Sequence, residues 1–234
     1  DTQDISGTVL RQREVTVTEE EVRAAVMRFV GDYMQVPPMY SAKKVNGKKL
    51  YDLARAGVTV ERKPRPVHIS SIEILSLSLP RVRMRVACSK GTYIRTLCED
   101  IGQALGCGAC MEELLRTRVS RFFLKDALSI AQIEEQVHAL AGNLPPEQWN
   151  ADTFPFILRT DAVFWKNPKA VVKKEAERLL YNGNPLPPEE FDPYSPAWEE
   201  GELCVYDAAG HFAGIYRYEE EMRAYRPYRL FFEA

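Results

Sequence analysis

The stretch RVRMRVACSKGTYIRTLCEDIGQALG, residues 81–106, limits the possible folds more than any other part of the chain. Arg81, Arg83 and Arg85 alternate with Val82, Met84 and Val86, the period of a strand with one face on a core and one in water. After Ser89-Lys90-Gly91 the spacing becomes helical: Ile94, Leu97, Cys98, Ile101 and Leu105 share a stripe, and Gly106-Cys107-Gly108 breaks it. A half-buried strand thus runs through a three-residue turn into an amphipathic helix, with Lys90, Tyr93 and Arg95 gathered at the junction.

The surrounding chain supplies further elements. Residues 17–31 read as a helix, with Thr18 and Glu21 as a capping box and Val22, Val26, Phe29 and Val30 on one face. Pro37-Pro38 stops any helix, Asn46-Gly47 signals a tight turn, and a short helix from Lys48 ends at Gly57. PVHISSIEILSL reads as a β-branched strand, and MEELLRTRVSRFFL as another with Leu115, Thr117 and Val119 on one face. Ser129 and Gln132 cap a helix carrying Ile130, Ile133, Val137 and Leu140, and AGNLPPEQWNADTFP reads as loop. From about residue 165 the texture changes to short strands such as ELCVYD and FAGIYRY between turn signals, which suits a small β-barrel. The expectation is an α+β chain with a mixed-sheet domain over 1–165 and a β-barrel domain over 166–234.

Composition excludes some classes. With 45% hydrophobic and 27% charged residues the chain is ordinary for a globular protein. No apolar run approaches the roughly 20 residues that span a bilayer, and the start has neither a signal-peptide core nor a basic leader. Five irregularly spaced cysteines do not make a secreted disulfide framework, so a reduced, cytoplasmic setting is expected. Cys107-Gly-Ala-Cys110 has no second pair and no nearby histidine to complete a zinc site, so buried free thiols are expected and no metal. The net charge of -2 hides an asymmetry: residues 37–100 hold thirteen Lys/Arg against five acids, +8, and the rest is -10. Such a cationic segment can bind a polyanion or serve as a solvated face.

At the junction, the N–H groups of Gly91 and Thr92 could hold an anion, Lys90 adds charge, Tyr93 can stack on a base, and Arg95 is a permanently charged fork. A nucleotide-phosphate loop lacks its GxxxxGK[ST] signature here. A structural arginine beside a core tyrosine is the plainer reading.

Three long motifs add to this: VPPMYSAKKVNGKKLYDLARAG, CSKGTYIRTLCEDIGQALGCGA and LLRTRVSRF. Together they resemble the TruB family, bacterial tRNA pseudouridine synthases that act on uridine 55 in the T-loop. DTQDISG resembles the family's D-T-x-D-x-x-G segment, and LLYNGNPL with the β-rich tail resembles its C-terminal PUA domain, a small RNA-binding barrel. The resemblance implies a uridine flipped into a pocket, attacked by an aspartate and rejoined to the sugar through carbon 5, without metal or cofactor. It implies that Arg95 partners the catalytic aspartate, that Asp4 braces Arg95, that Tyr93 packs on the flipped base, and that Leu114 closes the pocket. Lys43, Lys48, Lys49 and Lys90 are the expected phosphate contacts, as is the arginine face of residues 81–85. The partner expected is the T-arm stem-loop of tRNA; no membrane or protein partner is evident.

The chain departs from the family pattern in two respects, one being that the family's further active-site tyrosine, shortly before D-T-x-D, does not occur here. The family's nucleophile lies in a G-x-x-H-x-G-x-L-D-P segment, which does not occur here; EEFDPYS around Asp192 lacks the histidine and glycines. The expectation is an N-terminally incomplete catalytic domain, inactive alone. The alternative is a non-catalytic RNA-binding or tRNA-folding protein that uses the same basic surface.

Overall fold

The computed structural model describes every residue except 46, 143, 152, 200 and 232–234, so the Asn46 half of the expected turn lies outside the described residues. The chain divides into two compact units, Asp1–Arg121 and Phe122–Ala234.

In the first unit, helix α1 (Glu19–Met27) starts at Thr18, whose hydroxyl accepts from Glu21 N–H while the Glu21 carboxylate accepts from Thr18 N–H. The capping box is therefore as expected, but the helix stops sooner. Gly31, at φ 104°, turns the chain into strand β1 (Gly31–Gln35), which the apolar pattern did not reveal. A hairpin of β2 (Lys44–Val45) and β3 (Lys48–Lys49) leads into α2 (Leu50–Arg55), anchored by fully buried Leu50.

Strands β4 (Arg65–Ser78) and β5 (Arg81–Cys88) form an antiparallel pair, and β1 adds to the other side of β4. Along β5 the arginines are exposed and Val82, Met84 and Val86 half-buried, as the alternation requires. Along β4 the inward positions run Val67, Ile69, Ile72, Ile74 and Leu77. Register shifts between Ile69 and Ser71 and between Ile74 and Ser76 account for this change of parity, because a bulge adds a residue and reverses which side chains face inward. Helix α3 (Ile94–Ala104) packs Leu97 and Ile101 against Val22 and Val26 of α1 and Ile69 and Ile72 of β4.

The strand expected across residues 111–124 is mostly absent. Met111 makes a single bridge to Asp4, and only β6 (Arg118–Val119) and β7 (Phe122–Phe123) are extended ladder residues. Leu114 and Leu115 are 55% and 65% exposed, so no apolar layer holds that stretch in a sheet.

In the second unit the Ser129–Gln132 capping box starts α4 (Ile130–Ala141) as expected. Strand β8 (Lys169–Val171) and helix α5 (Glu177–Tyr181) precede β9 (Glu202–Tyr206), β10 (Phe212–Glu219) and β11 (Ala224–Leu230). They form one sheet in the order β11-β10-β9-β8, parallel only between β8 and β9. Leu180, Leu203, Val205, Tyr216 and Tyr225 fill its core. Among the described residues this ladder does not close into a barrel. Single bridges from Leu186 to Tyr225 and from Phe191 to Val172 tie one intervening segment to both sheet margins. The chain is thus α+β with mixed strand directions. Of the cysteines only Cys204 is buried; Cys88 and Cys110 are exposed and Cys98 and Cys107 lie between, which corrects the expectation of buried thiols. CGAC sits in a loop beside the core, with Cys107 half-buried and Cys110 exposed.

Candidate active site at the start of α3

The turn into α3 is built by short polar contacts. Gly91 adopts φ 87°, a region that suits glycine. Ser89 N–H donates to His68 carbonyl at 2.8 Å, and His68 N–H returns a bond to the Ser89 hydroxyl at 3.0 Å. The Thr92 hydroxyl donates to the Ser89 carbonyl at 2.9 Å. The Thr92 amide donates to the same carbonyl, and that of Tyr93 to the Gln35 side chain at 2.8 Å. An anion cradle needs free amides; since Thr92 spends its own inside the turn, the cradle expected from Gly91 and Thr92 is not formed. Lys90 stands exposed at the tip.

Tyr93 is the N-cap residue of α3, and its backbone is held by one side chain. Gln35, 1% exposed, accepts from Tyr93 N–H and donates to Tyr93 carbonyl at 3.1 Å. Its second N–H goes to the Tyr33 hydroxyl. Burial, and after it the charge of Asp100, pushes the Tyr33 phenol far above its ordinary value. Burial and then neighbouring Glu99 push the Asp100 carboxyl up to about 6.

Gln3 docks the N-terminal segment on the same helix. It accepts from the Thr96 hydroxyl at 2.7 Å and donates to the Glu99 carboxylate. Met111 N–H donates to the Gln3 carbonyl at 3.0 Å and Ile5 N–H to the Met111 carbonyl at 2.9 Å. Asp4 lies between these two bonds and accepts from Ser6 N–H at 3.0 Å and Ser6 hydroxyl at 2.7 Å. Those two bonds, with a contribution from Arg95, hold its carboxyl below the usual range against partial burial. Arg95 is near enough to be felt by Asp4, yet among the described residues no carboxylate reaches ion-pair distance of its guanidinium. A half-buried, unpaired arginine is an electrostatically unfinished arrangement that an incoming anion would complete.

Asp4 thus lies within electrostatic reach of Arg95, which stands two residues after Tyr93 in the first turn of α3. Leu114 follows Met111 by three residues, a chain reach of about 10 Å, with its side chain exposed. Asp192 belongs to the other unit. Of the lysines expected to meet phosphate, Lys48 and Lys49 are exposed on β3, and Lys43, just before β2, is half-buried. Burial and then Arg65 lower the Lys43 pKa. Lys49 donates to the Tyr51 hydroxyl at 3.0 Å, and Lys49 and Arg55 lie 5.3 and 5.4 Å from the Tyr51 ring centre. The arginine face of β5 is partly neutralised, since Arg85 pairs with Glu73 at 2.7 Å and Arg81 with Glu112 at 3.0 Å. These pairs are exposed and weak enough to exchange for phosphate.

Sequence reasoning missed Gln3, Gln35 and Gly102. A Cβ on Gly102 would lie 2.1 Å from Ala109 N and 2.3 Å from the Gly108 carbonyl carbon. The helix therefore needs a glycine where the following loop lies flush against it, and a lone glycine inside a helical pattern was the available signal. The two glutamines gave none, because neither falls in a motif or a periodic pattern. An apolar cavity of about 120 Å³, lined by Val22, Val26, Met84, Cys98, Ile101 and Leu105, lies along the packing stripe of α3 and includes none of Asp4, Tyr93 or Arg95.

Residues 1–94 match the TruB family pseudouridylate synthase N-terminal domain, and residues 95–149 the tRNA pseudouridylate synthase B C-terminal domain. The tRNA pseudouridine synthase B of Lachnoclostridium phytofermentans is 46% identical over 221 residues, covering 88% of this chain and 67% of that protein. That of Alkaliphilus oremlandii is 42% identical over 242 residues, covering 99% and 74%. That of Burkholderia mallei is 44% identical over 234 residues, covering 98% and 71%. Among solved structures, a chain of a Cbf5–Nop10–Gar1 complex superposes with TM-score 0.66 at 21% identity, covering 94% of this chain and 64% of that one. A chain of an H/ACA RNP bound to a substrate RNA containing 2'-deoxyuridine gives 0.63 at 17%, covering 95% and 64%. At such identities the likeness speaks for the fold. The chain spans about two thirds to three quarters of these curated relatives and somewhat less than two thirds of the solved chains.

Proposed function

The chain belongs to the TruB family of pseudouridylate synthases, and on that premise we propose that it serves a tRNA pseudouridine synthase that isomerises uridine 55 in the T-loop. The observation that carries the reading is that Asp4 comes within electrostatic reach of unpaired Arg95 at the start of α3, where Tyr93 is the N-cap residue. A flipped uridine packs on Tyr93, with Leu114 closing over it. Arg95 aims and ionises the nucleophilic aspartate, lowering its pKa by its own charge, while Asp4 steadies Arg95. The aspartate attacks, the glycosidic bond breaks, the uracil turns, and carbon 5 rejoins the sugar. No step asks for a metal or cofactor. None of the aspartates of residues 1–234 is assigned as the nucleophile, because the segment that bears it in the family is not in this sequence.

Lys43, Lys48, Lys49 and Lys90 take the phosphates of the T-arm, setting position rather than sequence. Residues 1–165 form the catalytic module and 166–234 a PUA-like RNA-binding module. The tie of one segment to both margins of the β8–β11 sheet supports the barrel-like reading. Five free thiols accord with a reducing, cytoplasmic setting.

The test is tritium release from a T-arm stem-loop labelled at carbon 5 of its target uridine. The 234-residue chain is expected to bind the hairpin without release. Joined to a segment with the family's G-x-x-H-x-G-x-L-D-P pattern, it is expected to release tritium, and Arg95→Ala in that fusion to lose turnover at least about a hundredfold with binding unchanged. Release by the 234-residue chain alone would show that an aspartate within it is the nucleophile. A folded fusion that binds without release would instead favour the non-catalytic RNA-binding alternative.

A further inference from the structure

Gln35 is a polar side chain at 1% exposure on the last position of β1, and two of its three hydrogen bonds go to the backbone of one residue. Its oxygen accepts from the Tyr93 amide at 2.8 Å, and its nitrogen donates to the Tyr93 carbonyl at 3.1 Å and to the Tyr33 hydroxyl. Tyr33 is itself fixed by an edge-on contact with Phe29, ring centres 5.4 Å apart. A fully satisfied buried amide rigidifies whatever it holds. What it holds is the N-cap residue of α3, which makes no side-chain cap of its own. The Tyr93 side chain makes no hydrogen bond among the described residues, so the polar contacts that fix this residue are those of its backbone.

We propose that Gln35 is a positioning residue: through the Tyr93 backbone it presets the Tyr93 ring and the first turn of α3, and so the direction of Arg95, before RNA binds. This rests on the reading of Tyr93 as the surface on which the flipped uridine packs. Gln35 touches neither base nor phosphate, so its loss alters the flipped state rather than the docking of the hairpin.

The test uses the 234-residue chain and a T-arm hairpin with 2-aminopurine beside the target uridine, whose fluorescence rises when the neighbouring base leaves the stack. Two readouts are taken: exchange of the Tyr93 amide by NMR, and the fluorescence rise at saturation. Wild type is expected to protect the amide and show the rise. Gln35→Met is expected to bind the hairpin with unchanged Kd, to expose the amide, and to reduce the flipped fraction about tenfold, the equivalent of one buried hydrogen bond.

Gln35→Glu keeps the shape and makes the effect reversible on one folded protein. Its ionised carboxylate still accepts from the Tyr93 amide but repels the carbonyl; protonated, it donates to that carbonyl. The rise is therefore expected to return as pH falls, where wild type at the same pH values shows no such recovery. The wild-type control is needed because Asp100, near Tyr33, titrates at about 6. A protected amide and full rise in Gln35→Met, or no recovery in Gln35→Glu, would remove Gln35 from this role while leaving the base-pocket reading intact. Absence of the rise in wild type would instead remove that reading, and the positioning role with it.

Discussion

At Asp100 a carboxyl is kept in the folded protein at a cost that depends on pH. Its pKa, 3.8 in an ordinary setting, is pushed up to about 6 by burial and then by Glu99. Protonation therefore favours the folded state: the contribution is fully present below about pH 4 and lost as pH rises through about 6. Asp100→Asn is expected to stabilise the chain by about 1–2 kcal/mol at pH 7, after allowance for partial solvent screening, and to change little at pH 4. Urea denaturation at the two pH values decides, and an equal effect at both would show that the carboxyl is not strained. The same neighbourhood shows how far single residues could be read in advance. Asp4, Tyr93, Arg95 and Leu114 came from motif resemblance. The amides that set the first two in place, half-buried Gln3 and buried Gln35, are polar residues at positions the sequence alone does not single out.

Among elements, α3 and the loop behind it are joined by an absence of side chain. Gly102→Ala should by helix propensity add about 1 kcal/mol of stability. The added methyl meets the Gly108–Ala109 backbone at 2.1–2.3 Å, so a net loss of about 1–3 kcal/mol is expected. The exposed neighbour Gln103→Ala serves as the control. A stabilised Gly102→Ala variant in thermal or urea unfolding would mean that the loop can move away freely. Elements with local chemical signatures were legible: the Thr18–Glu21 and Ser129–Gln132 capping boxes and the alternation of β5. Strand β4 was found, but its facing was hidden by two bulges that reverse parity. Strand β1 was absorbed into the preceding helix, because Phe29 and Val30 continue the helical apolar spacing until Gly31 turns the chain. The strand expected around Leu115 failed for the opposite reason: its alternation exists in sequence, with no apolar layer to receive it.

Over the whole molecule, charge is distributed more sharply than the net value of -2 suggests. If the β2–β3 hairpin meets phosphates, replacing Lys48 and Lys49 together by alanine should weaken hairpin binding for all sequences alike. The slope of log K against log salt should fall by about 1–2; a slope equal to wild type would take both lysines out of the interface. In the second unit the exposed Arg217 and Arg226 are already paired with Glu202 and Glu219. The bridge between Asp4 and Met111 carries a different consequence, one of timing. Asp4 is held by residues more than ninety positions later in the chain, and closing a loop of that length costs about 4 kcal/mol in its length-dependent part alone. The bridge cannot form before Met111 has been synthesised, so the corner that carries Asp4 and Arg95 closes across one of the long sequence separations of this unit.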